Sequence, residues 1–222
     1  MLGLSKRTLT RAIALGSLTV AAVGAVSTRG VLRATTTESA LSAANDAWLL
    51  GLKGKHRQLF DAPAPAGGIP LVHLMNYYDT YNSAYSVPDR DINGVLTFYG
   101  TTVFHGLTDA MWTKYKLGEF LGEKDAAGVP FTANPWRTAP VVVGMTLPQA
   151  SIESMQKRGA TFIICNNALT IFSGLVAKAR GLEPKIVYAD MKANILPNVT
   201  LVPAMVIAIE KAQGAGLAYH RQ

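Results

Sequence analysis

The chain of 222 residues contains a single cysteine, Cys165, which follows a short apolar run. The run 160–164 is rich in β-branched and aromatic residues and comes after a glycine, a pattern typical of a strand buried on both faces in a parallel sheet. Asn166 and Asn167 come next, and asparagine is a good N-cap for the helix predicted over 167–180. Cys165 is therefore predicted to end a strand and to face a helix N-terminus.

This position leaves two interpretations of the thiol open. A helix N-terminus stabilises an anion, and the thiolate is the reactive form of cysteine, so Cys165 could be a reactive group. Ligands of open α/β sheets also bind outside the carboxyl ends of the strands. A free cysteine can equally be a small apolar residue that fills space in a core.

Two histidines are candidates for a base that would activate this thiol. His73 is predicted inside or near the end of the first core strand, 69–75, and His105 lies beyond the second, 93–100. Both could reach the crevice above Cys165, where one of them could accept the thiol proton. The alternative is that both are packed and hydrogen-bonded, as lone histidines usually are.

Several familiar site chemistries are missing from the sequence. It has no P-loop, no G-x-G-x-x-G after a strand, no G-x-S-x-G, and no cysteine or histidine spacing suited to zinc. We therefore predict neither a cofactor nor a metal site. With one cysteine, the chain also has no internal disulfide.

Residues 1–34 are predicted to be an export signal. A basic start precedes the weakly apolar run 12–26, which is too short and too mild for a membrane span and ends in small residues. Lys6-Arg7 is similar to a twin-arginine signal, with lysine in place of the first arginine. The protein is therefore predicted to be periplasmic or in the cell envelope, and to be membrane-anchored only if 12–26 is retained.

The basic composition belongs largely to this segment. Five of the cations behind the formal net charge of +7 lie in residues 1–33, which contain no acid, so the remainder carries +2. A nucleic-acid partner would need a basic face on the folded domain, and no such excess remains. We therefore predict no nucleic-acid binding.

The rest of the chain is predicted to form one α/β domain over 69–222, preceded by an N-terminal extension and an Ala/Pro linker over 35–68. The charged stretch 53–61 within that extension is interpreted as a solvent-exposed face. Further strands are expected at 160–164, 199–202 and 217–219, with helices between them. This alternation predicts a three-layer α/β/α sandwich around a mainly parallel sheet of about five strands.

Three segments resemble the second half of DsrE/DsrF-like proteins. They are 159–169 around Cys165, then 196–203 and 212–219, in that order and spacing. Proteins of that family are small α/β/α domains, usually homo-oligomeric, and some carry sulfur as a persulfide on a cysteine placed like Cys165. Relatives often have His-Gly after the second strand, where this chain has Tyr99-Gly100.

The resemblance implies an exported sulfur-relay carrier that exchanges sulfur with a donor or acceptor protein. Cys165 would hold the persulfide, with the helix N-terminus and Asn166 stabilising the anion. The alternative is a non-enzymatic exported binding or assembly subunit with a structural Cys165. In that case four tyrosines would serve an interface: Tyr77, Tyr78, Tyr81 and Tyr85.

The helix predicted over 204–213 indicates how the protein associates. Its apolar residues run almost all round it, and a helix of this kind is buried on more than one side. An outer helix of a three-layer domain should have one solvent-exposed face. The additional apolar surface of this helix therefore predicts that another subunit packs against it. We therefore expect a homo-oligomer with this helix in or near the interface.

Overall fold

A computed structural model describes residues 45–222, and the predicted export signal lies outside this range. Five strands form one parallel sheet flanked by helices. The prediction of an α/β/α sandwich around a parallel sheet is confirmed. The sheet strands are β1 His56–Asp61, β2 Ile92–Phe98, β5 Thr161–Cys165, β6 Val199–Val202 and β7 Ala218–Arg221. Their spatial order is β6-β5-β2-β1-β7.

Helices connect these strands. They are α1 Ala47–Leu50, α2 Ile69–Tyr85, α3 Asp109–Tyr115, α4 Leu117–Leu121, α5 Ile152–Lys157, α6 Asn166–Arg180, α7 Pro184–Ala193 and α8 Met205–Gly214. A small antiparallel hairpin, β3 Val141–Val142 and β4 Met145–Thr146, projects from the connection between β2 and β5. Over residues 45–222, no helix combines the length and the apolar character needed to cross a bilayer.

The strand register arranges the core side chains in two rows. Phe60 pairs with Leu96 and Leu96 with Phe162, so these three side chains share one face of the sheet. Leu59 pairs with Val95 on the opposite face. All five are buried, because helices cover both faces, as is usual for a parallel sheet.

Residues 69–75 form the first turns of α2, so the prediction of a core strand there is wrong. Pro70 lies in the first turn, where its missing N–H leaves no hydrogen bond unmade. Gly68, directly before the helix, has φ +86°, a backbone conformation that favours glycine. The buried residues of α2 recur at helical spacing: Pro70, Leu71, Leu74, Met75 and Tyr78.

The strand that sequence analysis placed at 69–75 is instead β1, inside the charged stretch 53–61. The interpretation of this stretch as a solvent-exposed face is wrong, because Leu59, Phe60 and Asp61 are buried. β1 pairs with β2 on one side and β7 on the other, so it lies within the sheet. The sheet therefore draws on residues before the predicted domain start at 69.

Helix α2 packs tightly on β2 at Gly94. A Cβ at this position would overlap Leu74 Cδ1 and come within 3.0 Å of Tyr78 Cε2. The Tyr78 hydroxyl accepts a hydrogen bond from the Gly94 N–H at 3.1 Å and donates to the Ile92 carbonyl at 3.4 Å. Burial raises the pKa of Tyr78 to about 12, which moves its ionisation still further from physiological pH.

Arg158 ties α2 to the segment before β5. Its guanidinium bonds Asp79 at 2.6 Å and Asp89 at 3.0 Å, and lies 5.0 Å from the Tyr78 ring centroid. Burial pushes the pKa of Asp89 upward, but the hydrogen bonds from Arg158 and Asn82 hold it below its ordinary value. Asp89 and Arg158 each precede a strand, so this network fastens the amino edge of the sheet.

The substitution Gly94→Ala tests the packing of α2. Leu74 is fully buried, so it has no room to retreat from an added methyl group. We expect a loss of about 1–3 kcal/mol in the free energy of unfolding, measured by urea denaturation. Gly174→Ala in α6 is the matched control, because a Cβ there meets no atom within 4 Å, and it should stabilise the protein by up to about 1 kcal/mol. Equal effects at the two glycines would contradict this packing.

Candidate functional site

Cys165 lies where the sequence predicted it, as the last residue of β5 and directly before α6. Only 5% of its surface is exposed, and it belongs to the main hydrophobic core. Because the strands are parallel, its end of β5 lies at the carboxyl edge of the sheet, opposite the Arg158 network. The thiol is thus at the expected edge but is buried.

The sulfur of Cys165 accepts two backbone hydrogen bonds. The N–H of Ala168 and the N–H of Met205 each lie 3.3 Å from Sγ. Ala168 is in the first turn of α6, and Met205 is the first residue of α8. The N-termini of two helices therefore converge on one sulfur, an arrangement that favours negative charge there.

Cys165 is itself the N-cap of α6, so the expectation of an asparagine cap is wrong. Its sulfur takes the position that a cap oxygen normally has. Asn166 instead accepts a hydrogen bond from the Tyr188 hydroxyl at 2.7 Å through Oδ1. This bond links α6 to α7, and within residues 45–222 the hydrogen bonds to the sulfur come from Ala168 and Met205, not from Asn166.

His73 lies far from the thiol. It is on α2, and its Nδ1 is 2.6 Å from Oε1 of Gln222, just after β7, while its ring stands 5.3 Å from that of His220. Three strand spacings separate β7 from β5, roughly 14 Å at the usual distance between neighbouring strands. His73 is therefore out of hydrogen-bonding reach of Cys165.

His105 is fully buried in the turn after β2 and is paired with a carboxylate. Its Nε2 lies 3.2 Å from Oε2 of Glu123. Its ring is 4.2 Å from that of Trp136 and 5.2 Å from that of Trp112, centroid to centroid. The structure therefore joins His105 to Glu123 and two tryptophans, and surrounds Cys165 with backbone amides instead of a histidine.

Glu123 borders a cleft of about 750 Å³. The cleft is formed by the segment between β1 and α2 and by the long connection from α4 to β4. Its wall is mostly apolar and includes Gly68, Phe131, Trp136, Pro140 and Val141. At Gly68 a Cβ would come within 2.7 Å of Val142 Cγ2, so the glycine allows the hairpin to approach α2.

Polar side chains fix the connection that carries Glu123 and Trp136. Asn134 donates from Nδ2 to the carbonyls of His105 and Leu107 at 2.7 and 2.8 Å. Arg137 bonds Asp109 at 2.5 Å and Glu153 at 2.6 Å. The wall of the cleft is therefore held to α3, to α5 and to the turn after β2.

Sequence analysis did not single out Glu123 or Trp136, because they lie in a connection without regular periodicity. The one available signal was a large aromatic residue between Pro135 and the basic Arg137, in a segment otherwise typical of surface loops. Trp136 is in fact 3% exposed. Over residues 45–222, no group of three or more His, Cys, Asp or Glu side chains is placed to hold a metal ion.

A buried carboxylate, Asp61, lies at the end of β1. The Tyr219 hydroxyl donates to its Oδ2 at 2.5 Å, and the Thr97 hydroxyl lies 3.4 Å from Oδ1. The hydrogen bond to Asp61 raises the pKa of Tyr219, while burial is the larger cause of the raised pKa of Tyr99. These bonds tie the short edge strand β7 to β1, which is a structural role.

Comparisons of the chain with protein-family models, with curated proteins and with solved structures found no match. The resemblance to DsrE/DsrF-like proteins therefore rests on the three segments quoted above.

Substitution of Cys165 tests its role as a double acceptor. Cys165→Ala removes both hydrogen bonds to sulfur and should lower the free energy of unfolding by about 1–2 kcal/mol. Cys165→Ser keeps an acceptor of similar size at the N-cap, so its loss should be smaller. Urea denaturation of the two variants measures the difference, and a serine variant less stable than the alanine variant would contradict the capping role.

Proposed function

We propose that this chain is an exported sulfur-relay protein of DsrE/DsrF-like type, with Cys165 as the residue that carries sulfur. The observation that supports the proposal most is the pair of N–H groups, from Ala168 and Met205, that point at Sγ from two helix N-termini. Such donors stabilise the thiolate needed for attack, and equally the anion of a bound persulfide.

The exchange needs no cofactor and no external oxidant. The Cys165 thiolate attacks the outer sulfur of a donor persulfide, the donor S–S bond breaks, and the donor leaves as a thiolate while the Cys165 persulfide forms. In the second step an acceptor thiolate attacks the terminal sulfur, and Cys165 leaves as a thiolate. Each step forms one S–S bond and breaks one S–S bond.

Because the thiol is buried, a donor protein can reach it only if the structure opens locally. Asn167 and Pro203 are exposed residues that flank the two helix starts, and they are joined by a backbone hydrogen bond of 3.3 Å. Breaking this bond would open a path to the sulfur between the first turns of α6 and α8. We propose that the donor protein docks at this point.

The intact mass of the native purified protein tests the sulfur-relay proposal. We expect an addition of about 32 Da that is lost on reduction, the signature of one extra sulfur on a thiol. The Cys165→Ser variant contains no thiol and should lack the addition under the same conditions. Loading with a small persulfide donor should restore the addition to the reduced wild-type chain.

A thiol that takes up no sulfur and reacts with iodoacetamide only after denaturation would overturn the proposal. That result would favour the second candidate, a non-enzymatic exported binding or assembly subunit. The observation that favours this candidate is the structural role of Cys165, which is 5% exposed and caps α6.

We also propose that the protein is a homo-oligomer with α8 at its interface. Val206 and Ile207 on this helix are 72% and 48% exposed, which is unusual for neighbouring large apolar side chains. Of the four tyrosines expected at an interface, Tyr78 is fully buried and cannot contact a partner, whereas Tyr85 is 68% exposed.

Light scattering of the Ile207→Glu variant tests this association. A buried glutamate at an interface is strongly unfavourable, so the variant should dissociate to monomers at micromolar concentration while the wild type stays assembled. Ile186→Glu on α7 is the matched control, because Ile186 is also exposed and apolar, and it should leave the assembly intact. A monomeric wild type, or an assembled Ile207→Glu, would contradict the proposal.

A further inference from the structure

We propose that the cleft beside Glu123 is a binding site for a small organic cation. An ammonium group would lie against the Glu123 carboxylate, and an apolar or aromatic body would lie against Trp136 and Phe131. This proposal does not depend on Cys165 or on sulfur transfer, because it rests on a different set of residues.

The first observation is a histidine–carboxylate pair, largely buried, with unused hydrogen-bonding capacity. His105 is fully buried and the Glu123 side chain is 19% exposed. Within residues 45–222, Oε1 of Glu123 and Nδ1 of His105 are both buried without a hydrogen-bond partner. Buried polar atoms are nearly always hydrogen-bonded. Two unpaired atoms in one side-chain pair therefore indicate that a ligand supplies a missing hydrogen bond.

The second observation is the sign of the charge. His105 meets Glu123 only through Nε2, and within residues 45–222 no donor, basic or neutral, lies within hydrogen-bonding distance of Oε1 of Glu123. Asp125 also lines the cleft, and Lys124, the one basic residue among its lining side chains, is exposed.

The third observation is the shape and chemistry of the wall. A cleft of about 750 Å³ lies within the range of roughly 300–1,000 Å³ typical of small-molecule sites. The wall includes two aromatic residues, Trp136 and Phe131, and three prolines. Aromatic faces next to a carboxylate are the recognition chemistry of ammonium groups. Glu123 is among the residues that line the cleft, and its side chain is partly accessible there.

The site is held ready for binding. Asn134 and Arg137 fix the connection that carries Trp136, through hydrogen bonds to the turn after β2 and to α3 and α5. The N–H groups of Ala127 and Val129 both donate to Oδ1 of Asp125 at 2.9 Å, and these bonds hold the turn that follows Glu123. The wall of the cleft therefore needs little ordering when a ligand binds.

Titration of the full chain with two matched probes tests the site. Phenethylammonium supplies an aromatic ring and a cation, and 3-phenylpropionate supplies the same ring with an anion. We expect saturable binding of the cation, measured by ligand-observed NMR, and at least tenfold weaker binding of the anion. Glu123→Gln keeps the shape but removes the charge, and should weaken the cation about tenfold, whereas Glu210→Gln on the exposed surface of α8 should leave it unchanged.

Three results would overturn the proposal. They are no saturable binding of phenethylammonium up to about 10 mM, equal binding of both probes, and equal affinity in Glu123→Gln and the wild type. The comparison of the two probes uses the wild-type chain alone, so it decides the matter even if the Glu123 variant folds poorly. Neither probe reports on Cys165, so failure here leaves the sulfur-relay proposal standing.

Discussion

All five strands of the sheet run in the same direction, and this constraint decides where the candidate sites lie. Parallel pairing brings every carboxyl end to one edge, where the chain leaves each strand for a helix or a turn. Cys165 ends β5 at this edge, and the cleft beside Glu123 is built from segments that follow β1 and β2. The amino edge is fastened instead by Arg158 and its two carboxylate partners.

The two proposed sites on the carboxyl edge use opposite electrostatics. Backbone N–H groups of α6 and α8 surround the sulfur of Cys165 and favour an anion there. The Glu123 carboxylate lines an apolar cleft, and the proposed ligand there is a cation. Both proposals depend on burial, because charges and dipoles interact more strongly where water is excluded. One edge of a small domain would then hold two sites of opposite preference.

The clearest local patterns were interpreted correctly. The β-branched run before Cys165 and the glycine at 181 predicted β5 and α6 with nearly correct ends, because both signals act within a few residues. The apolar stretch 69–75 was assigned to a strand although it is the start of α2. Its residues suit either structure, and the fit of Leu74 and Tyr78 against Gly94 on β2 favours the helix.

The sequence by itself determined the α/β class, the parallel sheet and the place of Cys165 at a strand end, since each depends on the period or on capping of neighbouring residues. Tertiary structure alone decided the rest of the candidate sites. Met205 reaches the sulfur from 40 residues away, and Glu123 meets His105 across 18. Such pairings are set by the order of strands in the sheet and by the packing of connections over its edge. Local sequence periodicity cannot predict these pairings, because they join residues that are distant in the chain.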